Sequence, residues 1–130
     1  MHLMYIKHTD QWKGNPKRIV SLVPSVSSLL SYLDLDNEII GVTKFCTLPK
    51  MLLQSKTKVG GTKNIQIQII KELQPDLIIC NKEENIKDQI DELAALFPVW
   101  VTDVNNLNDN YSMILEIGQL TGKIERSKQL

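Results

Sequence analysis

The sequence has few of the residues on which many catalytic and metal sites depend. Its 130 residues include two histidines, two cysteines and 5% aromatic side chains. Zinc or manganese sites need three or four His, Cys, Asp or Glu ligands, and both histidines, His2 and His8, stand near the start of the chain. Cys46 and Cys80 form no C-x-x-C motif and are typical of small buried side chains in a reducing compartment. The sequence therefore predicts no metal site and no covalently bound cofactor.

Charge of one sign and long apolar runs are also missing. Fifteen basic residues balance fifteen acidic ones, so the formal net charge is zero. This balance argues against a nucleic-acid binder, because such proteins need an excess of Lys and Arg to displace counterions. No stretch approaches the ~18 apolar residues that span a bilayer. The start of the chain turns polar after six residues and lacks the apolar region of a secretory signal, which by itself predicts a cytoplasmic protein.

Catalytic motifs are absent as well. No G-x-G-x-x-G segment follows an apolar run, which excludes the standard dinucleotide fingerprint. The segment from Gly118 to Lys123 is one spacer residue short of a phosphate loop and lacks its final Ser or Thr. A Ser-His-Asp arrangement could use only His2 or His8. We therefore predict a protein that is not an enzyme.

Four apolar runs rich in Ile and Val alternate with helical patterns. Near-continuous apolar strands of this kind are typical of a sheet that is covered on both faces. The runs are Arg18–Val23, Glu38–Thr43, Asp76–Cys80 and Pro98–Thr102. This alternation predicts an α/β fold, a three-layer α/β/α sandwich with a mostly parallel, Rossmann-like sheet.

The helices between these runs have recognisable starts. Ser25 is the expected N-cap of the first helix, Asn81 with Glu84 forms a capping pair for a later one, and Asn106 caps the last. The last helix is expected to bury one stripe: Leu107, Tyr111, Ile114, Leu115 and Gly118.

The segment Ile65–Ile69 fits either a strand or a helix. Its apolar residues alternate as in a strand, yet Ile65, Ile69 and Leu73 also fit helical spacing. We expect a helix capped by Asn64, which ends before Pro75 because the residue before proline avoids the αR region. Gly122 can then close the final long helix, and residues 123–130 begin another.

A binding site is expected where the strands end. In open parallel sheets, ligands bind outside the carboxyl ends of the strands, where loops enter helices. The Gly60–Gly61 turn beside Lys63 adds backbone amides that could hold an anion. These residues also have purely structural interpretations. Ser25 is expected to cap a helix, and Glu83 with Glu84 is expected to complement a helix dipole.

Five segments in order resemble one protein family. They are Pro16–Ser25 (PKRIVSLVPS), Ile40–Cys46 (IGVTKFC), Val59–Gly61 (VGG), Leu73–Ile79 (LQPDLII) and Pro98–Asp103 (PVWVTD). Together they resemble the N-terminal lobe of ABC-transporter substrate-binding proteins of the type that captures cobalamin, haem or iron-siderophores. The resemblance covers most of this chain and about half of a typical family member.

The resemblance implies binding without turnover, outside the cytoplasm, by a monomer that is not membrane-spanning and hands its ligand to an ABC permease. It implies an N-terminal extension over residues 1–17, a substrate-binding lobe over residues 18–122 and the start of an interlobe helix over residues 123–130, with the second lobe absent. Carried over to this sequence, the ligand-binding residues are Pro24, Ser25, Lys44, Phe45, Cys46, Gly61, Thr62, Asn81, Lys82 and Glu83, with Glu84 beside them. Phe45 could stack on a flat ligand, and Lys44, Lys63 or Lys82 could meet an anionic one.

Two features depart from the family pattern. Gln68 stands where family members commonly carry a Glu that pairs with an Arg of the permease, so a charge-assisted contact is lost. The start of the chain also lacks a secretory signal. The alternative interpretation is a cytosolic doubly wound domain with a regulatory, partner-binding or minor enzymatic role, in which Asp103 or Glu83 would be an acid or base.

Overall fold

A five-stranded parallel sheet forms the centre of the protein in a computed structural model, which describes residues 3–7, 15–44 and 55–129. The strands are β1 (Ile19–Ser21), β2 (Ile39–Val42), β3 (Thr57–Lys58), β4 (Gly60–Gly61), β5 (Asn64–Ile65), β6 (Leu77–Asn81) and β7 (Val99–Thr102). The helices are α1 (Pro24–Tyr32), α2 (Ile67–Leu73), α3 (Lys87–Ala94), α4 (Leu107–Thr121) and α5 (Ile124–Ser127).

The strand order is β3-β2-β1-β6-β7, and every neighbouring pair in this sheet is parallel. Each of the four apolar runs contains a strand of this sheet, so the predicted α/β fold with a mostly parallel sheet is confirmed. From β1 the chain adds β2 and β3 on one side, and it then returns to add β6 and β7 on the other side of β1. The loops that follow β1 and β6 therefore leave neighbouring strands at the same edge of the sheet.

Alternate residues of each strand pack on opposite faces of the sheet. Ile19, Leu77 and Ile79 join one buried cluster with residues of α1 and α4. Val20 and Ile78 join another cluster with residues of α2 and α3. Helices thus cover both faces, which gives the three layers that the near-continuous apolar runs predict.

The first helix begins two residues earlier than predicted. Val23 is the N-cap, with extended backbone and no side-chain capping bond, and Pro24 occupies the first turn. Proline is favoured there because its fixed φ suits a helix and its missing N–H would have no partner. Ser25 therefore lies inside the helix, and its prediction as the N-cap was wrong.

Asn81 caps a turn rather than a helix. Its side-chain oxygen accepts hydrogen bonds from the backbone N–H groups of Glu83 (2.8 Å) and Glu84 (3.0 Å). Helix α3 begins only at Lys87, behind Ile86, which has no side-chain capping bond. The capping pair predicted at Asn81 and Glu84 is therefore an Asx turn within the loop after β6.

Helix α4 is capped as predicted but buries a different face. The side chain of Asn106 accepts a hydrogen bond from the N–H of Asp109 (2.9 Å), and Gly122 ends the helix with φ of 74°. The buried residues of the helix are Ile117, Gly118, Leu120 and Thr121. Of the predicted stripe, Gly118 is buried and Ile114 is half-buried. The prediction was wrong for Leu107, Tyr111 and Leu115, which are exposed.

Small side chains explain which face of α4 is buried. A Cβ atom on Gly118 would lie 2.3 Å from Ser127 Oγ and 2.7 Å from Ser127 Cβ. The Thr121 hydroxyl donates to the carbonyl of Ile117 (2.8 Å), so its polar group is satisfied within the helix. The small face of α4 therefore allows α5 to approach closely.

The ambiguous segment divides between a strand and a helix. Ile65 ends β5, which pairs antiparallel with β4, and α2 starts at Ile67 behind Gln66. Asn64 is thus not the cap, although the helix ends at Leu73 as predicted, and Gln74 has φ of 50°. The Gly60–Gly61 pair is strand β4 rather than a turn, and the turn itself lies at Thr62 and Lys63.

The start of the chain adds to the sheet. Tyr5 forms a parallel bridge with Val99, and Ile6 N–H donates to the carbonyl of Val99 (2.8 Å). Residues 4–6 therefore border β7, which the prediction of an N-terminal extension over residues 1–17 did not foresee. Within the described ranges, no helix is both long and apolar enough to cross a membrane.

Candidate functional site

A cavity of about 240 Å³ opens where the central strands end. It lies between the loops that follow β1, β6 and β7 and the first turns of α4. Its lining residues are Val23, Ser25, Val26, Asn81, Glu83, Glu84, Thr102, Val104, Asn110 and Met113. This is the edge of the sheet at which the fold predicts a ligand.

Asn85 ties three segments of this edge together. Its side-chain amide donates to the carbonyl of Leu22 (3.2 Å), behind β1, and to the carbonyl of Thr62 (3.0 Å), in the β4–β5 turn. Its side-chain oxygen accepts from the N–H of Asn81 (2.8 Å). Asn85 is buried, and its three bonds fix the positions of the loops relative to one another.

A second set of bonds joins the ends of β6 and β7. The buried Thr102 hydroxyl donates to the carbonyl of Cys80 (2.8 Å), and the side-chain amide of Asn81 donates to Thr102 Oγ1 (3.2 Å). The N–H of Lys82 donates to the carbonyl of Thr102 (2.9 Å). The floor of the cavity is therefore held by bonds within the protein and is formed in advance of any ligand.

The charges at this edge are unevenly arranged. Glu83 and Glu84 line the cavity, and among the residues that the structure describes no Lys or Arg does. The Lys63 ammonium donates to the backbone carbonyl of Glu83 (2.6 Å), and Lys82 lies 3.8 Å from the carboxylate of Asp103. The two lysines thus have partners within the protein, while neither glutamate side chain has one among the described residues.

The structure brings together part of the predicted site. Ser25, Asn81 and Glu83 line the cavity, and Pro24 precedes Ser25 in the first turn of α1. Thr62 reaches the site through its carbonyl bond with Asn85, and Gly61 precedes it in β4.

The other predicted residues lie around this group or beyond what is described. The N–H of Lys44 donates to the carbonyl of Gly60 (2.8 Å), which joins β2 to the β4–β5 hairpin. Lys82 lines a different cavity, and Gln68 is exposed on α2. Phe45 and Cys46 lie outside the described residues.

Sequence reasoning missed several residues of the site. Thr102, Val104, Asn110 and Met113 line the cavity, and Asn85 organises it. Thr102 ends the apolar run Pro98–Thr102 and Val104 lies just after it, so the expectation of a site where the strands end could have included them. Asn110 and Met113 sit on the side of α4 next to the buried Ile117, which the wrong choice of helical stripe concealed.

A larger cavity of about 460 Å³ lies beside the site, bordered by α3 and the first residues of the chain. Tyr5, Cys80, Ile90 and Val101 contribute to its lining. Burial raises the pKa of the Cys80 thiol to about 12, so it is protonated and a poor nucleophile near neutral pH.

The rim of this cavity carries a polar cluster. The Tyr5 hydroxyl donates to Asp91, and Lys87 lies 2.6 Å from the same carboxylate. The hydrogen bonds from Lys87 and Tyr5 hold the pKa of Asp91 below its usual range. Burial and the bond to Asp91 raise the pKa of Tyr5. These groups satisfy one another, and the described part of the chain contains no cluster of His, Cys, Asp and Glu suited to a metal ion.

The family profile described as periplasmic binding protein matches residues 19–130. An uncharacterised ABC transporter substrate-binding lipoprotein of Bacillus subtilis is 30% identical over 122 residues, which are 91% of this chain and 38% of that protein. A vitamin B12-binding protein of Yersinia pestis is 25% identical over 114 residues, which are 87% of this chain and 40% of that protein. The chain therefore spans about 40% of the length of these curated relatives.

The fold recurs among solved structures. A periplasmic haem-binding protein of Pseudomonas aeruginosa superimposes with a TM-score of 0.80 at 22% identity, over 88% of this chain and 41% of that protein. At this level of identity the likeness concerns the fold alone. It agrees with the parallel sheet and the two helical layers described above.

Proposed function

Because the chain belongs to the periplasmic binding protein family, we propose that it forms the first lobe of the solute-binding component of an ABC importer. The ligand is a large metal chelate, namely cobalamin, haem or an iron-siderophore, held non-covalently between this lobe and a second one. The role is binding without chemical turnover. The observation that carries the proposal is the pre-formed cavity at the carboxyl edge of the sheet, built from three strand-end loops.

The architecture of the edge supports a binding role. Asn85 and Thr102 use their hydrogen bonds to hold loops together, so the cavity is a fixed surface on which a rigid ligand can dock without ordering the protein. The Cys80 thiol is buried and protonated, which leaves it unsuited to nucleophilic catalysis.

The size of the cavity supports a partner lobe. Sites that enclose a drug-sized ligand measure about 300–1,000 Å³ and bury most of its surface. The cavity of about 240 Å³ is open and smaller than this range. A metal chelate would therefore bury one side here and need a facing surface for the other, and the relatives extend well beyond the length of this chain.

Delivery to a permease and an extracytoplasmic location belong to the same proposal. One relative is named as a lipoprotein of an ABC transporter, and a solved neighbour is named as periplasmic. These names give no support to the cytoplasmic alternative. Gln68 is exposed on α2 and can reach a permease, but as a neutral side chain it would contribute a weaker contact than a Glu there.

Calorimetric titration of the intact gene product with cobalamin, haem and ferric siderophores tests the proposal. We expect one-to-one binding of at least one of them at micromolar affinity or better. The 130-residue chain should bind the same ligand at least about 100-fold more weakly, because half the contact area is missing. A folded gene product that binds none of these ligands would refute the proposal. Equal affinity of the intact product and the 130-residue chain would refute the two-lobed site.

A further inference from the structure

The charges around the cavity indicate which chelates this lobe accepts. The sequence led us to expect that Lys44, Lys63 or Lys82 meets an anionic ligand. None of these side chains lines the cavity at the carboxyl edge, while Glu83 and Glu84 do. Within the described residues, the charged side chains that line the cavity are therefore acidic, whereas the sequence predicts basic ones.

The lysines nearest to the loop are occupied within the protein. The Lys63 ammonium donates a hydrogen bond to the carbonyl of Glu83 (2.6 Å), which holds the cation against the backbone of the loop. Lys82 lies 3.8 Å from Asp103 and borders the neighbouring cavity. Neither side chain lines the cavity, so either would have to change its conformation to meet an anionic ligand there.

The two glutamates are held at the cavity by their backbone. Both N–H groups donate to the side-chain oxygen of Asn81, at 2.8 and 3.0 Å, which closes the turn that presents the side chains. Asn81 is itself fixed by Asn85 and Thr102. The acidic loop thus rests on a buried polar network, and its two carboxylates lack an ionic partner within the described ranges.

From this arrangement we infer that the ligand presents hydrogen-bond donors, such as amide or ammonium groups, to this lobe and is net neutral or cationic. A ligand carboxylate or catecholate placed against Glu83 and Glu84 would be repelled, and a donor group would gain a charge-assisted hydrogen bond. The asparagine and serine side chains that share the lining, Asn110 and Ser25, can bond to either kind of group. The inference rests on the proposed function, because the fold and the family indicate where the site lies. The two carboxylates determine only which class of chelate binds there.

Four probes with different charges test the inference on the intact gene product. Cobalamin is net neutral with amide donors, and ferrioxamine B carries an ammonium group. Haem carries two propionates, and a ferric tris-catecholate is trianionic. We expect cobalamin or ferrioxamine B to bind at least about 10-fold more tightly than either anionic probe. This factor is the smallest free energy typical of a hydrogen bond to a charged group, converted to a ratio of dissociation constants.

The double variant Glu83→Gln/Glu84→Gln removes both charges and keeps the shape of the side chains. We expect it to weaken binding of the preferred probe about 10-fold and to reduce its advantage over the anionic probes by a similar factor. Glu92→Gln, at an exposed position on α3 away from the cavity, is the matched control and should change no affinity more than about 2-fold. Thermal melts of all variants check that each remains folded.

The outcomes separate the two proposals. Tighter binding of an anionic probe, or a double variant with unchanged selectivity, would overturn the inference and leave the solute-binding role intact. Failure of all four probes to bind a folded gene product would refute the solute-binding role and the inference together.

Discussion

Replacing Asn85 by alanine should loosen the whole candidate site. The side chain is buried with 4% of its surface exposed and makes three hydrogen bonds, to Leu22, Thr62 and Asn81. Removing it leaves two carbonyl groups and one N–H without their partner. A net loss of about 1 kcal/mol per bond, with a larger loss where the orphaned group stays dry, gives a destabilisation of about 2–4 kcal/mol.

Urea denaturation measures this effect. With an m-value of about 1.5 kcal/mol/M, a loss of about 3 kcal/mol lowers the midpoint by about 2 M while the slope stays the same. Asn108→Ala is the matched control, because Asn108 is exposed on α4, and it should change stability by less than about 0.5 kcal/mol.

The isosteric variant Asn85→Asp separates lost bonds from lost volume. An aspartate keeps the acceptor for the Asn81 N–H but turns a carboxylate oxygen towards the carbonyls of Leu22 and Thr62. At neutral pH it should destabilise the protein at least as much as alanine does. A loss below about 1 kcal/mol for both variants would show that the three loops are held in place by other contacts.

Three further predictions concern other parts of the fold. Gly118→Ala should destabilise the protein by about 1–3 kcal/mol in thermal melts, because its Cβ would lie 2.3 Å from Ser127 Oγ, and Ser127→Gly in the same background should restore part of the loss; a neutral Gly118→Ala would contradict the close packing of α4 on α5. Cys80 should resist alkylation at pH 8 in the native state and react after unfolding, since burial raises its pKa to about 12, and native labelling of the Cys80 peptide seen by mass spectrometry would contradict its burial. The carboxyl of Asp91 has a pKa below its usual range, so its contribution to stability is present above the unfolded-state pKa and is lost as pH falls through the folded-state value. The Asp91→Asn variant should therefore lose less stability than the parent protein between about pH 5 and 2 in an acid titration. Identical curves for the two proteins would rule out this contribution.

The central strands were predictable because their signal is local and strong. Continuous apolar runs such as Leu77–Cys80 are buried on both faces of the sheet. Such a strand can be recognised without knowing which residues point to which face. The parallel pairing and the edge that carries the site follow from the alternation of strands and helices. The fold class therefore depended on features that the sequence displays directly.

The errors arose where tertiary contacts outweigh the local pattern. In α4, hydrophobicity favoured a stripe that begins with Leu107 and Tyr111, but only the Gly118 end of that stripe packs closely against α5. At α1, the preference of proline for the first turn outweighed that of Ser25 for the cap. Both signals, Gly118 and Pro24, were present in the sequence. Large apolar residues in α4 and the capping preference of Ser25 in α1 concealed them.

The charge of the site could not be predicted from composition. Lys63 and Lys82 stand in the expected loops, but whether a lysine faces a ligand or a neighbouring carbonyl depends on contacts between loops that are far apart in the sequence. The bond from Lys63 to the carbonyl of Glu83 spans 20 positions. Asn85 likewise joins residues 62 and 22, which no local pattern brings together.

Whether the cavity is half of a solute-binding cleft can be decided by calorimetric titration of the intact gene product with cobalamin, haem and ferric siderophores. We expect one-to-one binding at micromolar affinity or better to at least one of these chelates. The Asn85→Ala variant should bind it more weakly, because the loops lose their shared anchor. A well-folded protein that binds none of them would contradict the assignment of the cavity as half of a solute-binding cleft.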